Sequence, residues 1–142
     1  MLFSASELEW AAEIVARWVP PTPQYQWPLL NREVGAQVWV KHENHTPAGA
    51  FKVRGGLVYA HRLRAERPGV SGIISATRGN HGQSLAFAGR ATGLPVTIVV
   101  PKGNSQDKNR AMQGFGAELI EHGHDYQAAR EHASALSDQR GL

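Results

Sequence analysis

Residues 72–92 read GIISATRGNHGQSLAFAGRAT, and this stretch decides the fold. "GIISA" is a short apolar run with strand character. "GQSLAFAGRAT" has helical spacing, and Gly93 follows it as a helix-ending glycine. Between them stands "SATRGNHGQS", Ser75 to Ser84, at the point where a strand hands over to a helix. Such a junction exposes backbone N–H groups at a helix N-terminus, which favours a bound anion. The stretch lacks the G-K-[ST] ending of a phosphate-binding P-loop and the G-x-G-x-x-G spacing of a dinucleotide site. Thr77, Asn80 and Gln83 offer neutral donors, and Gly79 lets the backbone curl around a guest. A carboxylate is the natural guest.

The same alternation continues on both sides. Downstream, "VTIVV" is apolar throughout, as expected of a strand buried on both faces. "PKGNS" is a loop with Ser105 placed to cap the helix "QDKNRAMQGF". "AELIEHG" is a strand, and Asp125 is placed to cap a last helix, "YQAAREHASALSDQR". Upstream, "FKVRGGLVYAHRLRAER" is a helix closed by Pro68-Gly69, and "NHTPAGA" is a turn. "GAQVWVKHE" is a strand with Val38 and Val40 on one face, and "TPQYQWPLL" is an extended arm. A first helix opens with a capping box at Ser6–Glu9, repeats Leu8, Ala11, Val15 and Trp18 at helical spacing, and ends at Pro20, Pro21 and Pro23. Strands alternating with helices predict an α/β fold with a parallel sheet and flanking helices. Only about three strands belong to that unit, and the arm and first strand find no obvious partner. The chain therefore reads as part of a larger protein.

Composition narrows the function classes. The 142 residues are 42% hydrophobic with a net charge of +3, which fits one globular domain with a real core. Acidic and basic residues are interspersed, and no basic–aromatic ladder points to nucleic acid. There is no cysteine, hence no disulfide framework and no thiolate metal site. The apolar runs are too short to span a bilayer, and the N-terminus turns acidic at once, unlike a signal peptide. The expectation is a cytoplasmic protein that binds neither nucleic acid nor membrane.

The chemistry concentrates at Lys52. Lysines are mostly solvated, but this one follows the bulky Phe51 at the start of a helix. Gly55 and Gly56 follow at a cost in helix stability, which suggests close packing against the backbone. An amine in such a partly desolvated, aromatic-lined place can form a Schiff base. The pairs His42/His45 and His122/His124 lack metal-ligand spacing, so no metal is expected. His81 is read as an orienting residue of the loop. Trp10, Trp18, Trp27 and Trp39 are read as packing residues, and "RLRAER" as a solvated helix face.

"KHENHTPAGAFKVRGG" resembles the cofactor-lysine segment of the fold type II pyridoxal-phosphate enzymes, and "SATRGNHGQS" resembles their asparagine loop. The wording "GNHGQ", with "PPTP" and "PLL" before it, is closest to the threonine/serine dehydratase branch. The resemblance implies pyridoxal 5'-phosphate as cofactor, carried on Lys52, which then acts as the base at Cα. It implies Phe51 against the cofactor ring and Asn80 on its 3-hydroxyl. Thr77, Arg78, Gly79, His81 and Gln83 would form the loop that receives the substrate. The implied reaction eliminates the β-hydroxyl of a small hydroxy amino acid to give a 2-oxo acid and ammonia, and the full-length form would be a homo-oligomer.

Two departures qualify this. Arg78 stands where dehydratases carry a small residue and racemases a serine acting as second acid/base. Arginine stays protonated and cannot fill that role, which argues against a racemase. It leaves Arg78 to point outward, to pair with an acidic residue, or to bind a second substrate carboxylate, and so to select another hydroxy amino acid. Also, the family's glycine-rich phosphate loop and the residue facing the pyridine nitrogen do not occur in these residues. The resemblance therefore implies residues 1–48 as helix, arm and first strand belonging to a large domain, and 49–142 as an incomplete small domain. The C-terminal large domain is absent, and this chain alone is expected to be inactive. The rival from another class is a non-catalytic truncated paralogue acting as a binding module.

Overall fold

The computed structural model describes residues 3–142. Helix α1 (Ala5–Ala16) starts at Ser4, not at Ser6. The sequence carries two overlapping S-x-x-E patterns, and the Ser4–Glu7 pair closes the reciprocal capping box. The buried stripe is also rotated: Ile14 and Val19 enter the core, Val15 is half-buried, and Leu8 and Trp18 stay exposed.

The expected extended arm is interrupted. Strand β1 (Gln24–Gln26) pairs antiparallel with β2 (Trp39–Lys41), with Tyr25 opposite Val40. The first strand therefore has a partner after all. Between them "PLL" opens helix α2 (Pro28–Val34). Pro28 occupies the first helical turn, where its missing N–H costs nothing. Gly35 ends that helix in the left-handed conformation, at φ 68°.

A 3₁₀ turn (Glu43–His45) leads into α3 (Lys52–Glu66). The α/β unit then runs β3 (Ile73–Ala76), α4 (Asn80–Thr92), β4 (Val96–Val100), α5 (Gln106–Gly114), β5 (Glu118–Glu121) and α6 (Tyr126–Arg140). The sheet is parallel in the order β3-β4-β5. Every residue of β4 is buried, because apolar layers cover both faces. Ile73, Val96, Ile98 and Val100 join Leu85, Met112 and Leu57 in the larger core, on the side of α3, α4 and α5. Ala76 and Val99 meet Ala129 and Ala133 of α6 on the other side. Gly93 caps α4 as expected, and Asp125 caps α6 by accepting from the Ala128 N–H at 2.9 Å. Ser105 occupies the cap position of α5 but makes no side-chain capping bond.

The tryptophans do not enter the core. Trp18 meets Phe87 edge-on, Trp27 meets Tyr25 and His42, and Arg62 stacks over Trp10, while Trp39 is 60% exposed. No helix among the described residues is long and apolar enough to cross a membrane.

Candidate active site

The turn before Lys52 is fastened from inside. The buried Thr46 hydroxyl accepts from the Ala50 N–H at 3.0 Å and donates to the Ala50 carbonyl at 2.9 Å. Glu43 takes a two-pronged contact from Arg54 of α3 at 2.8 and 2.9 Å, and the Thr22 hydroxyl donates to it at 2.6 Å. Lys41 adds a looser contact at 3.9 Å. The Arg54 hydrogen bonds, with those from Thr22 and the nearby positive charges, outweigh partial burial and hold the Glu43 carboxyl at about 2. Arm, 3₁₀ turn and α3 are thus tied at one carboxylate, and Lys52 is held at a fixed place. No sequence pattern announces this set, since its members share no motif.

Because the Glu43 value lies below the ordinary 4.5, the stabilisation is complete above pH 4.5 and is lost as pH falls through about 2. Glu43→Gln is expected to lower unfolding stability by about 2 kcal/mol at neutral pH. Urea titrations at pH 7 and pH 2.5 test this: the gap between wild type and variant should shrink markedly at the lower pH.

Lys52 opens α3 on the rim of a cleft of about 460 Å³ between α3, β3 and α4. Its ammonium lies 5.3 Å from the centre of the Phe51 ring. Phe51, Lys52 and His81 line this one cleft with Ser75, Tyr59 and Ser84. Partial burial, helped by the Lys52 charge, lowers the His81 pKa and favours a neutral imidazole. Gly55 opens onto the same space, with nothing within 4 Å of where a side chain would start. Gly56 lies against α4: a Cβ there would overlap the Ser84 hydroxyl oxygen. That hydroxyl donates to the Lys52 carbonyl at 2.6 Å. The paired glycines therefore serve two ends, one clearing the cleft and one letting two helices touch.

The remaining loop residues sit beside the cleft lining. Thr77 is buried, accepts from the Gly79 N–H at 3.2 Å, and packs under Gly82, so its hydroxyl shapes the loop from within. Gly79, not Asn80 or Thr77, holds the cap position of α4. Asn80 begins the helix and is exposed, Arg78 is exposed, and Gln83 is half-buried. Lys108 of α5, which belongs to no sequence motif, lies against Gly79. Of the histidine pairs, His122 stacks flat on His132 at 3.8 Å, and among the described residues no group of three or more His, Asp or Glu stands together as a metal site.

An unpaired lysine amine, an aromatic face, a neutral imidazole and bare glycine backbone on one open cleft fit the aldehyde and ring of pyridoxal phosphate. Residues 15–142 match the family model described as "Pyridoxal-phosphate dependent enzyme". The chain is 32% identical over 121 residues to the biosynthetic L-threonine dehydratase of Haemophilus influenzae, covering 85% of this chain and 23% of that protein. A solved aspartate racemase superposes with TM-score 0.91 at 29% identity, over all of this chain and 44% of that one. A solved threonine deaminase, its source given as T.th., superposes with TM-score 0.84 at 28% identity, over 99% of this chain and 44% of its own. The chain thus spans less than half the length of these relatives.

Proposed function

We propose that this chain, which belongs to the pyridoxal-phosphate-dependent enzyme family, is the N-terminal part of a lyase of the threonine/serine dehydratase type. It would convert a β-hydroxy amino acid into a 2-oxo acid and ammonia, in the cytoplasm, as a homo-oligomer in its full-length form. The observation that carries the reading is Lys52, an amine free of ion pairs among the described residues, on one cleft with Phe51 and His81.

Bound pyridoxal phosphate supplies an electron sink for charge that develops at the substrate α-carbon. The chain's own residues do the rest. Lys52 Nζ holds the cofactor and later moves the α-proton. Phe51 covers a ring face, and Asn80 at the start of α4 donates to the ring oxygen. The backbone N–H groups from Thr77 to His81 take the substrate carboxylate, with Gln83 behind them. His81, favoured as the neutral form, adds no second positive charge that would compete with protonation at Lys52.

Residues 1–48 are assigned to a larger domain and 49–142 to a small one; residues 1 and 2 lie outside the described residues. Two strands of three residues make too small a sheet to stand alone. Beside them Tyr25, Trp27, Leu29 and Trp39 are exposed, which supports a further apolar layer over this hairpin.

Incubation with pyridoxal phosphate, borohydride reduction and peptide mapping test the reading. An adduct on Lys52 is expected. Adducts spread over Lys41, Lys102 and Lys108, or none, would instead support a non-catalytic binding module.

A further inference from the structure

Two cations from different elements meet at Gly79. A Cβ at Gly79 would stand 2.8 Å from Lys108 Cδ and 2.9 Å from Lys108 Nζ, so the lysine of α5 fills the place of the missing side chain. Arg78 is the next residue back along the loop and is exposed. Elsewhere Arg54, Arg62, Arg110 and Arg140 each find a carboxylate. Among the described residues Arg78 and Lys108 have none, because the acids of α5 and β5 are engaged: Asp107 by Arg110, and Glu121 by Asn109.

One carboxylate on this loop is satisfied by one ammonium and the neutral backbone donors. A second cation beside it then remains uncompensated, with like charges close together. A guest with two anionic groups neutralises both. The guanidinium fork suits a carboxylate gripped at two points, and the ammonium suits a single one.

We propose that Lys108 binds the α-carboxylate of the substrate and Arg78 a second anionic group on its side chain. The preferred substrate class is then β-hydroxy amino acids with an acidic side chain. This rests on the lyase reading above, so the test carries a readout that needs no turnover. L-malate and L-lactate, hydroxy acids with two and one carboxylates, are titrated calorimetrically into the full-length protein and into Arg78→Gln, Arg78→Lys and Lys108→Met.

The wild type is expected to bind malate at least ~10-fold more tightly than lactate, the scale of one charged hydrogen-bonded contact. Arg78→Gln should remove that preference, Arg78→Lys should restore part of it, and Lys108→Met should weaken both ligands. The ratio of kcat/KM for 3-hydroxyaspartate over threonine should fall by the same factor in Arg78→Gln. Equal binding of the two acids by the wild type, or a preference that survives Arg78→Gln, overturns the proposal. Lys108→Met weakening malate alone overturns the division of roles. If the malate preference behaves as expected but no amino acid is turned over, the lyase reading fails and the two-cation assignment stands.

Discussion

Lys52→Ala is expected to fold with wild-type stability and to lose turnover by at least ~10³-fold, together with the borohydride-trapped adduct. The side chain is exposed at the first position of α3, and its removal empties no core space. Its carbonyl still receives the Ser84 hydroxyl, so the local helix contact survives. What disappears is the amine that holds the cofactor and moves the α-proton. Lys52→Arg separates charge from proton transfer. It keeps a cation beside Phe51 and His81, but the guanidinium stays protonated and cannot accept the α-proton. It should therefore be as inactive as the alanine variant. Retained turnover in either variant, measured as 2-oxo acid released by the full-length enzyme, would remove Lys52 from the mechanism.

Lys52 is legible in sequence because its surroundings are local in the chain. The strand–loop–helix of residues 72–92 and the helix that begins at Lys52 each declare themselves through short-range pattern. The all-apolar β4 announces a sheet covered on both sides. Long-range pairings do not declare themselves. The β1–β2 hairpin joins strands of only three residues across an intervening helix, too short for alternation to show. Pro28 reads as a continuation of the arm, although proline is equally at home in a first helical turn. Lys108 carries no motif, and only folding lays it on Gly79. The bond between Glu43 and Arg54 likewise joins residues that no local pattern links. The roles read into Asn80 and Gln83 rest on resemblance, since neither residue lines the cleft that holds Lys52.

The contact between Gly56 and Ser84 yields the largest expected effect on stability. A methyl at Gly56 would overlap the Ser84 hydroxyl and stand 3.0 Å from the Ser84 backbone carbonyl oxygen. The hydroxyl can rotate away, at the loss of its bond to the Lys52 carbonyl. The backbone oxygen moves only if α3 and α4 separate. Gly56→Ala gains a little helix propensity, but overpacking of a rigid contact outweighs it, and a net loss of ~2–3 kcal/mol is expected. Ser84→Ala alone should cost about 1 kcal/mol, the worth of the buried hydrogen bond. The two changes share one contact and should not add. With the hydroxyl gone, that overlap is relieved and only the 3.0 Å approach to the backbone remains, so Gly56→Ala/Ser84→Ala should be more stable than the sum of the singles. Strict additivity in urea unfolding would mean that the helices part freely. The same separation would carry Lys52 on α3 away from His81 on α4. Gly56→Ala should therefore also trap less cofactor at Lys52 under conditions where it remains folded, a loss that Ser84→Ala should largely spare.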